Sequence, residues 1–298
     1  MSTPVEELVN VFEAEAMAKE RLSPERFGLI AGSERRAFER MTFRPRMMVN
    51  TKNLDLSLDL FGQRHFAPIL AGPAAMQQRF HAEGELATVR GAVAAKAGMV
   101  LAEQTSVGLD RVAPLMTTPF WYQLDPGEAG AMRAQAQRAI GLGAKAIVLV
   151  PPLEWATIDQ VRRGLTTPVL LKGVMTAGEA RAAVERGLGG VVVSGYRAGQ
   201  DAMAASLEAL PAVAGAVAGK IPVLMDGSIR RGSDVLKALA LGARAVLVAR
   251  PVLWGLSAYG EAGVRQVLEM LQTELARDIA MCGVASLAEI RPEGTARR

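Results

Sequence analysis

Cysteine is nearly missing from this chain of 298 residues: Cys282 stands alone. An internal disulfide and a multi-cysteine zinc site are therefore excluded, and the lone thiol reads as a small buried hydrophobe in a reducing compartment. Histidine is almost as scarce, with only His65 and His81 and no H-E-x-x-H pattern, so no metal site is expected. Aromatic residues make up only 5%, which leaves aliphatic side chains and alanine to fill the core. No apolar run approaches the about 18 residues of a membrane span, and Met1–Asn10 carries acids where a leader would be apolar. The cytoplasm is the expected location. No run of five like charges exists, and the formal net charge is only +4. That argues against nucleic acid as a partner and suits an anionic small molecule.

What is present is alternation. Eight short apolar runs follow one another: Pro68–Ala71, Met99–Ala102, Phe120–Leu124, Ala146–Val150, Val169–Lys172, Val191–Ser194, Val223–Asp226 and Ala245–Ala249. Each is apolar on both faces, as a parallel strand covered on both sides must be. Between them lie helical stretches such as Glu83–Ala97, Ala129–Leu142, Ala177–Arg186 and Ser233–Leu241. Gly98, Gly143, Gly187 and Gly242 fall where a left-handed helix cap is expected. Eight strand–helix units with right-handed crossovers close most simply into an α/β (β/α)₈ (TIM) barrel. An open doubly wound sheet usually carries a glycine fingerprint after its first strand, and none is found here.

The whole chain, 1–298, reads as one domain. Residues 1–66 form a helical and hairpin-like N-terminal cap over the barrel bottom, with a helix over Val5–Leu22 and another starting at Ser23. Residues 67–258 supply the barrel, and 259–298 supply closing helices and a tail.

In such barrels the chemistry sits at the C-terminal ends of the strands. Lys172 ends the fifth run, where a buried ammonium needs an anionic partner, either a neighbouring acid or a bound group. Asp226-Gly227-Ser228-Ile229-Arg230-Arg231-Gly232 follows the seventh run and Ala249-Arg250-Pro251 the eighth. These two loops form the usual phosphate site, with small residues admitting the anion and arginines offering forked donors. Gln123 ends the third run, and Pro73-Ala74-Ala75-Met76-Gln77 follows the first. An amide there can read a planar heterocycle, or simply satisfy itself in the core. His65 lies at the wrong end, and His81 suits a structural hydrogen bond at a helix start.

At these residues the chain resembles the FMN-dependent α-hydroxy acid oxidase and dehydrogenase family, to which glycolate and lactate oxidases belong. The likeness runs through Phe43-Arg44-Pro45-Arg46, Pro73–Gln77 with His81-Ala82-Glu83-Gly84-Glu85, Leu171-Lys172-Gly173-Val174, and Asp226 to Ala243. It implies FMN as cofactor. Pro73, Ala74 and Ala75 would line the flavin ring, with Gln123 and Lys172 at its polar edge and Ser194 near the ribityl chain. Asp226 would bind ribityl hydroxyls, while Gly227, Ser228, Arg230, Ala249 and Arg250 would hold the phosphate. It also implies a homo-oligomer, a tetramer or octamer, acting on a small molecule.

The substrate half departs from the family pattern S-N-H-G-G-R-Q, reading Ser194-Gly195-Tyr196-Arg197-Ala198-Gly199-Gln200. Tyr196 stands where the catalytic histidine belongs, and Gly199 where the carboxylate-clamping arginine belongs. Asp125 replaces a tyrosine, Glu103 and Gln104 replace a serine and a tryptophan, and the long loop after the fourth strand is deleted. Tyr196, Asp125, Lys172, Arg197 and Glu103 are the catalytic candidates, with Asp125 or Tyr196 for acid–base work. The expected activity is FMN-dependent oxidoreduction of a substrate other than a simple 2-hydroxy acid. The alternatives are a genuine 2-hydroxy acid oxidase or dehydrogenase with rearranged groups, and an isomerase-like flavin enzyme without net redox.

Overall fold

The computed structural model describes residues 3–195 and 205–297. All eight expected strands form, as Ile69–Ala71, Met99–Ala102, Phe120–Leu124, Ile147–Leu149, Val169–Val174, Gly190–Val193, Val223–Asp226 and Ala245–Val248. They pair in parallel and in sequence order, and the eighth hydrogen-bonds back to the first to close the barrel. Alternate residues point inward. Leu70, Val100, Trp121, Val148, Leu170, Val192, Leu224 and Leu247 fill the interior as one cluster, while the other face packs beneath the helices. Among the described residues no helix is long and apolar enough to cross a membrane.

The helices follow the expected pattern, and Gly143, Gly187 and Gly242 take the left-handed conformation with φ of 103°, 68° and 106°. Gly98 does not. Lys96 takes that conformation two residues earlier (φ 55°), and Gly98 is required for space instead. A Cβ there would lie 2.9 Å from His65 Nδ1 and 3.0 Å from the Pro119 carbonyl oxygen.

The N-terminal 66 residues serve both ends of the barrel, a correction to the expected bottom cap. The hairpin Leu58–Leu60 with Gln63–His65 does close the bottom, where Leu58 and Leu60 plug the interior cluster. His65 is buried there, edge-on to Trp121 at 6.0 Å. The single helix expected over Val5–Leu22 is two pieces: a short turn at Val5–Glu7, then a helix over Val11–Arg21. Asn10 makes the break by accepting hydrogen bonds from the amides of Phe12 and Glu13. Ser23 caps Pro24–Gly28 as expected. From Ile30 to Arg35 the chain then runs along the opposite rim, against the loops after the seventh and eighth strands.

The C-terminal stretch packs on the barrel as a long helix, Arg250–Met281, kinked at Gly260 (φ 61°). Its two limbs cross at Gly255 and Gly263, where a Cβ on Gly255 would come within 2.3 Å of the Gly263 oxygen. Beyond it, Thr295–Arg297 pairs antiparallel with Met41–Phe43.

Candidate active site

A cavity of about 450 Å³ opens at the C-terminal ends of the strands. Its walls bring together Pro73, Ala74 and Ala75 from the first loop, Gln123 from the third strand with Asp125 just after it, and Lys172 from the fifth. Asp226, Gly227, Ser228 and Arg230 come from the seventh, with Ala249 and Arg250 after the eighth. Barrel closure is what converts these distant stretches into one wall. Lys172 Nζ lies 2.7 Å from Asp226 Oδ2, and both side chains are largely buried. The neighbouring acid foreseen for this lysine therefore exists, on the cavity wall itself.

The seventh-strand loop is tightly held. Gly227 (φ 103°) and Ser228 (φ 57°) turn the chain in left-handed conformations. Asp234 Oδ2 accepts hydrogen bonds from the amides of Arg230 and Arg231, each at 2.9 Å. Gly232 donates to Glu274 at 2.7 Å, and a Cβ on it would lie 2.2 Å from the Leu275 nitrogen. The Ser228 hydroxyl donates to the Glu34 carbonyl and accepts from Ser33, so its backbone, not its hydroxyl, is left for a ligand.

Arg230 is the unusual group. It is 2% exposed, its guanidinium lies 4.5 Å over the Trp254 ring, and Nη1 donates to the Ile229 oxygen at 2.7 Å. Its Nη2 is buried with no partner. Burial, with Arg250 adding like charge, pushes Arg230 down to about 9. Burial also lowers Arg250, against the pull of Asp226, and Arg250 Nη1 donates to the Ala31 carbonyl at 3.1 Å. A buried guanidinium and a partly buried one on the same cavity wall favour an anion there.

At the other side of the cavity, Gln104 Nε2 donates to Asp125 Oδ2 at 2.8 Å, while the Asp125 amide donates to Glu103 Oε2 at 2.9 Å. Glu103 therefore stands behind Asp125 instead of on the cavity wall. Burial first, then Glu103, pushes the Tyr122 phenol up to about 12, which removes it as a base. Glu85 is buried and ties the first loop to the second by accepting from the amides of Gln77 and Ser106, each at 3.0 Å. His81 makes a local contact, accepting from the Glu83 amide at 3.3 Å.

Ser194 ends the sixth strand, buried but off the cavity wall. Tyr196 and Arg197 lie outside the described residues. Sequence reasoning missed Leu29, Ile30, Arg79 and Phe80, which also line the cavity. Arg79 and Phe80 follow the first strand, at the rim where functional groups gather; Leu29 and Ile30 carry no local signal.

The cavity fits a flavin mononucleotide. Its volume is within the about 300–1,000 Å³ of small-molecule sites. Three buried polar atoms without partners, Gln123 Oε1, Asp226 Oδ1 and Arg230 Nη2, belong to residues on its wall. Unpartnered acceptors on Gln123 and Asp226 and an unpartnered guanidinium nitrogen on Arg230 match a heterocycle carrying a phosphate.

The FMN-dependent dehydrogenase family matches residues 28–150 and 147–297 of the chain. A peroxisomal (S)-2-hydroxy-acid oxidase of Oryza sativa subsp. japonica is 36% identical, over 95% of this chain and 94% of the relative. An L-lactate oxidase of Nostoc sp. is 35% identical, over 97% and 98%. These alignments run over 344 and 357 positions. Because this chain has only 298 residues, they contain stretches to which it contributes none. Crystal structures of mandelate oxidase superpose with a TM-score of 0.92 at 34% identity, covering 97% of this chain and 99% of theirs. The chain belongs to the FMN-dependent α-hydroxy acid oxidase and dehydrogenase family and is an FMN-dependent oxidoreductase.

Proposed function

We propose that FMN occupies the rim cavity and serves the oxidation of a substrate other than a simple 2-hydroxy acid. The Gly227–Arg230 and Ala249–Arg250 loops hold its phosphate, Asp226 its ribityl hydroxyls, and Pro73–Ala75 its ring. Gln123 and Lys172 face the polar edge. When bound, FMN supplies a reversible two-electron acceptor. Lys172 brings positive charge to that edge, kept in place by Asp226 at 2.7 Å. Asp125, oriented by Gln104, accepts the substrate proton. A free tyrosine phenol ionises only at about pH 10, which makes Tyr196 the poorer choice of base at neutral pH.

The observation that carries this reading is the carboxylate of Asp125 on the cavity wall, where the family resemblance expects a tyrosine. Like charges about 5 Å apart repel by about 3 kcal/mol at an effective dielectric of 20, so a carboxylate substrate is disfavoured there. Gly199, standing at the family's arginine position, points the same way. A second reading, oxidation of a 2-hydroxy acid by rearranged groups, is favoured by Arg79 on the same wall as a substitute clamp.

Anaerobic mixing separates the two. Millimolar lactate, glycolate or mandelate should leave the flavin absorbance intact; bleaching by any of them establishes the second reading. Turnover without an external electron acceptor would instead mark an isomerase-like enzyme. A cytoplasmic location and a homo-oligomer of four or eight chains complete the proposal, the latter tested by light scattering.

A further inference from the structure

The segment from Ile30 to Arg35 touches nearly every part of the phosphate end of the cavity. The Ile30 carbonyl accepts from Trp254 Nε1 at 2.8 Å, and Trp254 is the ring under Arg230. The Ala31 carbonyl accepts from Arg250 at 3.1 Å. Ser33 donates to Ser228 at 2.8 Å, and Ser228 donates to the Glu34 carbonyl at 3.0 Å. Arg35 Nη2 lies 2.6 Å from Asp234 Oδ2, the same oxygen that holds the amides of Arg230 and Arg231. The segment is anchored in turn by Glu15, whose Oε1 accepts from the Gly32 amide at 2.7 Å.

We propose that this strap braces the loops of the phosphate site from behind, with Arg35 and Ser33 as positioning residues that make the site select phosphorylated flavin. The inference rests on the FMN placement above. Arg35 neutralises Asp234, which is 1% exposed and adjoins the Arg230 loop. Without that partner, the Asp234 carboxylate, whose charge acts on the Arg230 guanidinium, is left to compete with the phosphate for it. Ser33 holds the hydroxyl of Ser228 away from the cavity, leaving the turn at Gly227–Ser228 with its amides presented. Neither residue lines the cavity, so both act through the loop and not by contact with the ring.

Riboflavin, which lacks the phosphate, is the discriminating probe. The full-length chain, freed of flavin, is titrated with FMN and with riboflavin by fluorescence quenching. Arg35→Ala should raise the FMN Kd tenfold or more and change the riboflavin Kd less than twofold. Arg35→Lys, which restores the charge, should return the FMN Kd to within threefold of the parent. An FMN effect below tenfold overturns the proposal, as does an equal loss for both flavins, which would mark a purely structural role. Where circular dichroism shows Arg35→Ala to be unfolded, Ser33→Ala replaces it. The expectation is then a threefold or greater loss for FMN alone, and no loss or an equal loss overturns the proposal. A parent protein that takes up neither flavin refutes the FMN placement itself, a distinct outcome.

Discussion

Replacing Arg230 by methionine should stabilise the flavin-free protein while abolishing FMN binding. The guanidinium is 2% exposed, rests on Trp254 and has one nitrogen without a partner. Its fall from the ordinary guanidinium range to about 9 corresponds, at about 1.4 kcal/mol per unit, to an upper limit of roughly 5 kcal/mol of destabilisation. Methionine loses the hydrogen bond to Ile229 and the stacking on Trp254, about 1 kcal/mol each. A net gain of about 1–3 kcal/mol is expected by urea unfolding at pH 7.5. The sign follows from proton linkage. In the window above about pH 9 the unfolded chain holds the Arg230 proton more tightly than the folded one. Parent stability therefore rises with pH in that window, and the advantage of Arg230→Met narrows above pH 9. With FMN present the order reverses, because only the parent gains stability from ligand binding. A flavin-free Arg230→Met that is less stable than the parent by 1 kcal/mol would refute the reasoning.

Other perturbations test other links. Burial lowers the pKa of His65 from its ordinary 6.5, so its contribution to stability is present above pH 6.5 and lost as pH falls through the lowered folded value. His65→Leu should flatten the urea midpoint between pH 7.5 and 5 relative to the parent. Gly232→Ala places a methyl 2.2 Å from the Leu275 nitrogen and should cost at least about 2 kcal/mol, read as a lower melting temperature. Asp125→Asn should lower the rate of flavin reduction by the true substrate at least about 100-fold, the usual worth of a general base, with FMN affinity unchanged within twofold.

The barrel was legible because its signal is local and repeated: runs such as Ala146–Val150 and Val223–Asp226 declare buried strands without knowledge of any partner. The phosphate loops were legible for the same reason, since Asp226–Gly232 and Ala249–Pro251 each follow such a run. The Ile30–Arg35 strap was not. Its partners lie about two hundred residues away, as with Ser33 and Ser228, and nothing in Ile30-Ala31-Gly32-Ser33 declares them. The break at Asn10 was readable, since Asn10 followed by Glu13 is a helix-start signature, yet the apolar residues on either side suggest continuity. Lys96, not Gly98, takes the left-handed position because the helix ends at Ala94, two residues before it, while Gly98 leaves room for His65.

The most direct test is a crystal structure of the full chain with FMN. The account predicts phosphate oxygens within hydrogen-bond distance of Arg230 and Arg250, and Gln123 Oε1 accepting from the ring edge. It is contradicted if the phosphate lies away from both arginines, or if the flavin occupies the separate cavity between Phe43–Arg46 and Glu289–Thr295.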